Sequence, residues 1–339
     1  MMAGRQLTIM DIARRLNLSK STVSRALRDT YDVNPETRRR VMELVKELDF
    51  EPNSIATSLR QHKTLSIGVV IPSFRIPFYS TAISGIQEVA SASGFNVMSC
   101  QSNESLAGEI SNINSLVRSR VDGIIISLSR ETNTYIHIGK LQEKGVPVVL
   151  FNRICSSLSL PSVSVDDYKS ARMATEYLIS RGCKRIAHIS GPAGLNLTED
   201  RKSGFTDSLK EQNLPLDECM IIESDFSIES GEKAAYQLLQ CKELPDAIFC
   251  VCDAVAFGVM MTLKKRGIRI PEDISVMGYT DEPVAALVEP PLTTISQPIF
   301  EIGQTAATLL LKQINGRFDK REPKQLTMDT HLIVRNSTI

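Results

Sequence analysis

The sequence predicts a multidomain protein with an all-α three-helix head and an α/β body, whose two lobes are each built on a doubly wound parallel sheet. The chain has 339 residues, and a single hydrophobic core usually stops growing at about 250 to 300 residues. Apolar residues recur at helical spacing near the N-terminus, whereas strand-like apolar runs alternate with helical patterns from Leu65 onward. This alternation is typical of parallel sheets covered by helices on both faces.

Two short helices at the N-terminus are predicted from their capping residues. Thr8 can cap the first helix, and Asn17 can end it because Asn tolerates the left-handed backbone of a helix-terminating turn. Ser19 can cap the second helix directly afterwards. The apolar positions that pack the two helices together follow helical spacing and are Ile9, Ile12, Ala13, Leu16, Val23 and Leu27.

The outer face of the second helix carries Lys20, Ser21, Thr22, Ser24 and Arg25. A helix fits the DNA major groove, where hydroxyl and basic groups bind phosphates and side chains near the helix N-terminus contact base edges. Arg25 could form two hydrogen bonds with a guanine edge. The alternative is a plain helical hairpin with a solvated polar face, which is the commoner meaning of two amphipathic helices.

A third helix is predicted from Asn34, because a capping Asn is followed there by Pro at the first helical position. Its buried stripe consists of Val41, Leu44, Val45 and Leu48. The arginines at 38–40 lie on other faces of this helix. Their side chains are expected to be exposed to solvent, and one or two of them could contact DNA phosphates.

Eight strands are predicted in the body, over residues 65–71, 95–100, 121–126, 146–151, 185–189, 219–222, 246–252 and 274–278. A break near residues 156–161 divides them between two lobes. Ligands of such sheets bind beyond the carboxyl ends of the strands, which places the expected ligand in the cleft between the lobes.

The charge distribution favours a protein that binds a polyanion through its N-terminal part, and the cysteine pattern favours an intracellular location. Residues 1–63 carry 12 Lys and Arg against 8 Asp and Glu, whereas residues 64–339 carry 27 against 31. The seven cysteines show neither a C-x-x-C pair nor zinc-ligand spacing. The N-terminus lacks the apolar core of a secretory signal, and no apolar run approaches the ~20 residues that span a bilayer. We therefore expect a cytoplasmic location, no membrane association and no metal.

Catalytic motifs are absent from the sequence. The four histidines form no H-E-x-x-H, and the chain has no Walker loop, no G-x-S-x-G and no G-x-G-x-x-G. His188, on an apolar strand, is expected to be a core residue. Cys250 and Cys252 point to the same side of their strand; a redox pair is possible, and inert buried thiols are the preferred interpretation. We expect no enzymatic activity and no cofactor.

Three runs carry a resemblance to a known family. T-I-M-D-I-A-R-R-L-N-L-S-K-S-T-V-S-R-A-L, V-N-P-E-T-R-R-R-V and F-E-P-N-S-I-A-T-S-L-R resemble the head of the LacI/GalR (lactose-repressor) family of bacterial transcription regulators. The resemblance continues through the whole chain. Asn17 stands where the family usually has glycine, and both residues accept the turn backbone.

The resemblance implies a hinge helix over residues 54–59. A helix this short is marginal alone in water. In the family it pairs with its twin across a dimer and lies in the minor groove, where a leucine wedge unstacks a base step at a cost of a few kcal/mol. The alternative is an ordinary linker with Leu59 packed on the body. The expected DNA-contacting residues are Thr8, Lys20, Ser21, Thr22, Ser24, Arg25, Asn34, Asn53, Ala56 and Leu59.

For the body, the resemblance implies the type I periplasmic-binding-protein fold, in which the chain crosses between the lobes three times. The expected domains are a DNA-binding head (1–50), a hinge helix and linker (51–63) and an effector-binding and dimerisation domain (64–339). Its first lobe would comprise about 64–160 and 298–326, and its second about 161–297 and 327–339.

The expected effector site combines strand-end residues with family positions. It consists of Phe74, Arg75, Ser127, Asn152, Arg153, Glu199, Arg201, Phe226, Cys252, Asp253, Thr280 and Gln297. Cys252-Asp253 stands where the family commonly has Asn-Asp. Thr280 stands where the family usually has an aspartate that binds the sugar. Because losing a hydrogen-bond partner can cost about 1–3 kcal/mol, a simple hexose held in the common manner is disfavoured. An oligosaccharide, sugar acid or phosphosugar is expected instead. Arg75, Arg153 or Arg201 would bind the anionic group of such a ligand.

The sequence therefore predicts a ligand-responsive regulator that binds a near-palindromic double-stranded DNA operator as a homodimer. Repression is favoured, and an activator would have the same head. The alternatives are a cytoplasmic sugar-binding receptor that shares the body fold, and an enzyme with an accessory DNA-binding head.

Overall fold

A computed structural model describes residues 7–27, 33–48, 50, 63–155, 157–318 and 324–339. Contacts divide the chain into two units, residues 1–64 and residues 65–339. Asn53, Ala56 and Leu59 lie outside the described residues, so the contacts and the hinge helix expected there stay predictions. No helix in the described part of the chain is long and apolar enough to span a bilayer.

The first unit contains three helices, α1 (Ile9–Leu16), α2 (Lys20–Ala26) and α3 (Pro35–Glu47). The predicted ends are confirmed. Asn17 has a φ of 54°, the Ser19 hydroxyl accepts from the backbone N–H of Thr22 at 3.0 Å, and Asn34 Oδ1 accepts from Glu36 N–H at 2.9 Å. Each cap satisfies a helix terminus that has no partner within its own helix.

The core of the head joins all three helices. Ile12, Val23 and Val41 are fully buried and Ala13 and Phe50 nearly so, with the other predicted apolar positions partly buried around them. The head therefore packs as the sequence predicts, with Phe50 as an additional core residue.

The first lobe is a six-stranded sheet of order β11-β5-β4-β3-β1-β2 in which every recorded pairing is parallel. Its strands are β1 (Ser66–Ile71), β2 (Asn96–Gln101), β3 (Gly123–Ile126), β4 (Val148–Phe151), β5 (Ser162–Val165) and β11 (Gln325–Met328). Its helices are α4 (Pro77–Ala92), α5 (Leu106–Arg118), α6 (Ile136–Glu143) and α11 (Ile299–Ile314). One hydrophobic cluster contains α4 and α11, and a second contains α5 and α6, so both faces of the sheet are covered.

The second lobe is a six-stranded sheet of order β12-β10-β9-β8-β6-β7. Its strands are β6 (Ile186–Ser190), β7 (Ile221–Glu223), β8 (Ala247–Cys250), β9 (Ser275–Thr280), β10 (Thr293–Ser296) and β12 (His331–Ile333). Its helices are α7 (Asp167–Ser180), α8 (Asn196–Glu211), α9 (Ile228–Leu238) and α10 (Asp253–Lys265). The pairing of β12 with β10 is antiparallel, which departs from the predicted all-parallel sheet.

Sheet pairing also differs from the predicted lobe boundaries. β5 pairs with β4, so the chain enters the second lobe after Val165 rather than near residue 160. β11 pairs with β5, so the predicted boundary at 326/327 falls inside a strand of the first lobe. Strands β5 and β10 were not predicted, because their sequences, S-V-S-V and T-T-I-S, contain buried hydroxyl residues. These residues interrupt the continuous apolar run that is typical of a parallel strand.

Candidate functional site

A cavity of about 640 Å³, part of it open solvent, lies at the carboxyl ends of strands from both sheets. Eight of the twelve expected effector residues line it: Arg75, Asn152, Arg153, Arg201, Phe226, Cys252, Thr280 and Gln297. The described residues include no group of three or more His, Cys, Asp or Glu side chains that could bind a metal ion.

The other four expected residues do not line this cavity. Phe74 is 48% exposed, and the Glu199 carboxylate accepts from the backbone N–H of Gly194 at 3.2 Å. Ser127 is fully buried, with its hydroxyl 3.1 Å from that of Tyr79. These three expectations are corrected because a position after a strand end does not fix the direction of the side chain.

Asp253, the fourth, supports the cavity from behind. Its fully buried carboxyl accepts from the Thr294 hydroxyl at 2.6 Å and from the backbone N–H of Glu282 at 2.7 Å. A Cβ at Gly278 would lie 2.1 Å from Asp253 Oδ1, so glycine makes room for the carboxyl. Burial raises the pKa of Asp253 to about 6. Asp253 therefore holds the loop that carries Glu282.

Arg153 is ion-paired within its own lobe. Its Nη1 and Nη2 donate to the Glu104 carboxylate at 2.7 and 3.0 Å. Its Nε is buried and lacks a hydrogen-bond partner among the described residues. The guanidinium carbon lies 5.3 Å from the ring centroid of Phe226, which belongs to the second lobe. Arg153 and Phe226 thus face each other across the cleft.

Arg201 is ion-paired as well. Its Nε and Nη2 lie 2.8 and 2.7 Å from Asp167 Oδ1, and its Nη1 donates to the carbonyl of Val251 at 2.6 Å. The guanidinium stacks 3.5 Å over the ring of Tyr279. Two of the three arginines expected to bind an anion are therefore already compensated. No partner is found within the described ranges for the exposed side chain of Arg75.

Three lining residues have an unusual backbone. Asn152 has a φ of 59°, Phe226 of 70° and Thr280 of 134°. Such conformations cost on the order of 1–3 kcal/mol each in a residue other than glycine and cluster at functional sites. A Cβ at Gly191 would lie 2.6 Å from the Phe226 ring, so the glycine is required for the ring position.

Several lining residues were not predicted, and Tyr79 and Glu282 are the most informative of them. Tyr79 bonds Ser127 and accepts from the Asn152 amide at 3.3 Å. Burial, with the neighbouring Asp253 as a second cause, raises the pKa of Glu282 to about 7. Pro77, at the first position of α4 directly after the β1 loop, could have indicated that this helix begins at the cleft.

Two further lining residues have distinct chemistry. Gln297 Oε1 is buried and has no hydrogen-bond partner among the described residues, so it is able to accept a hydrogen bond from a molecule in the cavity. Burial raises the pKa of Cys252 to about 12, which favours the interpretation of an inert thiol over a redox pair.

The outer face of α2 has the expected composition. Lys20, Ser21 and Arg25 are exposed, and Thr22 and Ser24 are partly buried. Arg25 Nε donates to the backbone carbonyl of Ser21 at 3.4 Å.

Thr8 and Asn34, the other head residues expected to contact DNA, lie at the N-termini of α1 and α3. The hydroxyl and backbone N–H of Thr8 donate to Asp11 Oδ2 at 2.6 and 3.0 Å. Asn34 caps α3.

Two family models match the chain. "Bacterial regulatory proteins, lacI family" matches residues 8–53. "Periplasmic binding proteins and sugar binding domain of LacI family" matches residues 64–335.

Curated relatives match over nearly the whole length. The chain is 32% identical to the ribose operon repressor of Halalkalibacterium halodurans, over 98% of this chain and 97% of that protein. It is 34% identical to catabolite control protein A of Priestia megaterium, over 91% and 92%. It is 33% identical to the transcriptional repressor CytR of Escherichia coli K12, over 98% and 96%.

Solved structures are similar too. The lac repressor dimer bound to operator and the anti-inducer ONPF matches with a TM-score of 0.89 at 26% identity, over 99% of this chain and 100% of that one. The complex of the transcriptional regulator CelR with cellobiose matches with a TM-score of 0.74 at 29% identity, over 98% and 99%.

Proposed function

The chain belongs to the LacI family of bacterial regulatory proteins, and we propose that it is a cytoplasmic repressor that binds a near-palindromic operator as a homodimer and responds to a carbohydrate in its cleft. The observation that carries this proposal is a helix-turn-helix head joined in one chain to a two-lobed body with a lined cavity between its sheets. The curated relatives are named as repressors or as a control protein, which favours regulation over catalysis.

Operator recognition is assigned to α2. Lys20 and Ser21 lie in its first turn and Arg25 one turn later, all exposed, which is the arrangement that a recognition helix presents to base edges and phosphates. Two-fold symmetry of the protein would match two half-sites of the operator.

Dimerisation is supported by the similarity to the lac repressor, which is a dimer in its complex with operator. This chain also exposes apolar side chains at its short 3-10 helix Pro283–Ala286, where Val284 is 48% and Leu287 81% exposed. We assign a second copy of the chain as the partner that covers them. Sedimentation at micromolar concentration should show a dimer, and a persistent monomer would contradict the assignment.

The effector is proposed to be a neutral carbohydrate of more than one ring. The charges of Arg153 and Arg201 are compensated by Glu104 and Asp167, so the deep part of the cavity offers no unpaired cation to a phosphate or carboxylate. A sugar acid or phosphosugar would have to rely on the exposed Arg75.

Glu282 is proposed to replace the missing aspartate. Thr280 occupies the position where the family usually has an aspartate that binds the sugar, but Glu282, two residues later, also lines the cavity. A carboxylate there can accept hydrogen bonds from sugar hydroxyls, while Phe226 supplies aromatic surface for a ring face.

Regulation would follow from closure of the cleft. A ligand that contacts both Arg153 and Phe226 touches both lobes, so its binding energy depends on the distance between the lobes. A coupling of about 1–3 kcal/mol would change operator affinity about 5- to 150-fold.

A thermal-shift comparison on the full chain tests the effector class. Neutral disaccharides and trisaccharides, including cellobiose, are compared with gluconate and glucose 6-phosphate. A ligand at 100 times its Kd stabilises by about 2.7 kcal/mol, so a neutral oligosaccharide should raise the melting temperature by several degrees. A rise with the anionic sugars alone, or with no member of the panel, would contradict the proposed effector. Turnover of the sugar would favour the enzyme alternative.

A further inference from the structure

Two thiols of the second lobe are in contact outside the cleft. Cys241 Sγ lies 3.5 Å from Cys219 Sγ. Cys219 is exposed and Cys241 partly buried, and both are free cysteines. Cys219 lies in the 3-10 helix Glu218–Met220, and Cys241 follows the end of α9. The pair is therefore accessible to small oxidants from solution.

We propose that Cys219 and Cys241 form a reversible oxidation site, at which a hydroperoxide converts the dithiol to an intramolecular disulfide. One thiolate attacks the peroxide oxygen, which gives a sulfenic acid and releases an alcohol or water. The second sulfur then attacks the sulfenic sulfur, the S–S bond forms and water leaves. Two thiols and one hydroperoxide thus yield one disulfide, one water and one alcohol, or two waters from hydrogen peroxide.

The contact between the two sulfurs lets either one resolve a sulfenic acid formed on the other. The hydrogen bond with Cys241 and the nearby Asp217 raise the pKa of Cys219 to about 12. The sulfur that reacts first with the oxidant becomes the sulfenic acid, and its neighbour 3.5 Å away closes the disulfide. Asp217 is held beside the pair because its Oδ1 accepts from the backbone N–H of Cys219 at 3.1 Å.

The positions of the two cysteines allow the bond to form. A disulfide needs the sulfurs about 2.05 Å apart, so they must approach by roughly 1.5 Å from their present contact. Cys219 lies in a three-residue 3-10 helix and Cys241 in the segment after α9, and both side chains reach the surface.

The bond would enclose a functional segment. The chain between the two cysteines runs through β7 and α9 and includes Phe226, which lines the cleft. A disulfide here would restrict the unfolded chain and hold β7 against the end of α9. Oxidation is expected to raise the melting temperature by a few degrees.

Peptide mapping of the full-length protein tests the site. The protein is treated with hydrogen peroxide, remaining thiols are blocked with iodoacetamide, and trypsin is added. Lys210, Lys233 and Lys242 place the two cysteines in different tryptic peptides. We expect a cross-linked pair of peptides containing Cys219 and Cys241, a mass loss of 2 Da in the intact chain and reversal of both by dithiothreitol.

Three variants provide the controls. Cys219→Ser and Cys241→Ser should each abolish the cross-link and the rise in melting temperature, while their reduced forms melt close to the reduced parent. Cys155→Ser, which changes a partly buried cysteine of the first lobe, should leave the cross-link unchanged. A cross-link to any other cysteine, sulfinic acid at Cys219 or Cys241 without a cross-link, or no oxidation in excess peroxide would overturn the proposal.

Discussion

Glu104 binds both terminal nitrogens of Arg153, at 2.7 and 3.0 Å, although the two residues are 49 positions apart in the sequence. The Arg153 side chain is 4% exposed and that of Glu104 21%. The positive charge in the deepest part of the cleft is therefore neutralised by the protein itself.

Glu104→Gln should lower the free energy of unfolding by about 2–4 kcal/mol, since removing one partner leaves the buried Arg153 charge uncompensated. Urea denaturation measures this loss. Glu243→Gln is the matched control, because its pair with Arg185 is 66% and 38% exposed and should contribute less than about 1 kcal/mol. Equal losses in the two variants would show that the Arg153 charge does not depend on Glu104.

Effector binding should depend on pH through Glu282. Its pKa is raised to about 7, so the carboxylate that accepts sugar hydroxyls forms between pH 6 and 8. If only this form binds, affinity for a neutral oligosaccharide rises about tenfold over that range. Calorimetric titration at several pH values measures the slope.

Two variants distinguish titration of Glu282 from titration of the neighbouring groups. Asp253, with its pKa at about 6, and Arg75 also face this region, while Asp281 pairs with Arg335 at 2.8 Å. Glu282→Gln should flatten the slope, and Glu301→Gln, in the adjoining groove, should preserve it. A slope that survives Glu282→Gln would assign the titration to another group.

Acid should destabilise the second lobe through His188. The ring is fully buried between Phe205 and Phe249, 5.0 Å from each ring, and its Nδ1 lies 3.0 Å from the Phe249 carbonyl. Burial lowers its pKa to about 4 from an ordinary 6.5. Between these values the unfolded chain binds more protons, so stability falls as the pH drops, by up to about 3 kcal/mol.

His188→Phe tests this acid dependence. The variant should be less sensitive than the parent between pH 6.5 and 4 in urea denaturation at each pH. Parallel pH profiles for the two proteins would contradict the assignment.

Arg25→Ala should weaken binding to the preferred duplex by about 10- to 100-fold, because a bidentate contact with a base discriminates by about 1–3 kcal/mol. Arg39→Ala removes the same charge from α3, where Arg39 pairs with Glu36 and Glu43, and should affect preferred and random duplexes alike. Fluorescence anisotropy at fixed salt compares them. An equal effect of Arg25→Ala on both duplexes would remove Arg25 from base recognition.

The head could be predicted from sequence almost completely, because caps and apolar stripes are local signals. Thr8, Asn17, Ser19 and Asn34 all lie at the helix ends where their chemistry places them. In the body, β5 was missed because Ser162 and Ser164 are buried and its strand identity depends on pairing with β4 and β11, which are distant in sequence.

The cleft was predicted in outline only. Strand ends located Asn152 and Thr280, but not their positive φ values, which the surrounding packing imposes. Asp253 was expected to contact ligand, whereas it is buried behind Glu282. Position along the chain indicates which loops reach the cleft, and only the packing decides which side chains do.

Operator binding by the full-length protein, measured with and without its carbohydrate, is the decisive test of a head regulated by its body. A duplex is selected from a random library, and its affinity is compared with random DNA at physiological salt. We expect at least about a 10³-fold preference for the selected duplex and a change of about 5- to 150-fold when the carbohydrate that raises the melting temperature is added. No preference over random DNA, or a preference that the bound carbohydrate leaves unchanged, would contradict ligand-controlled operator binding.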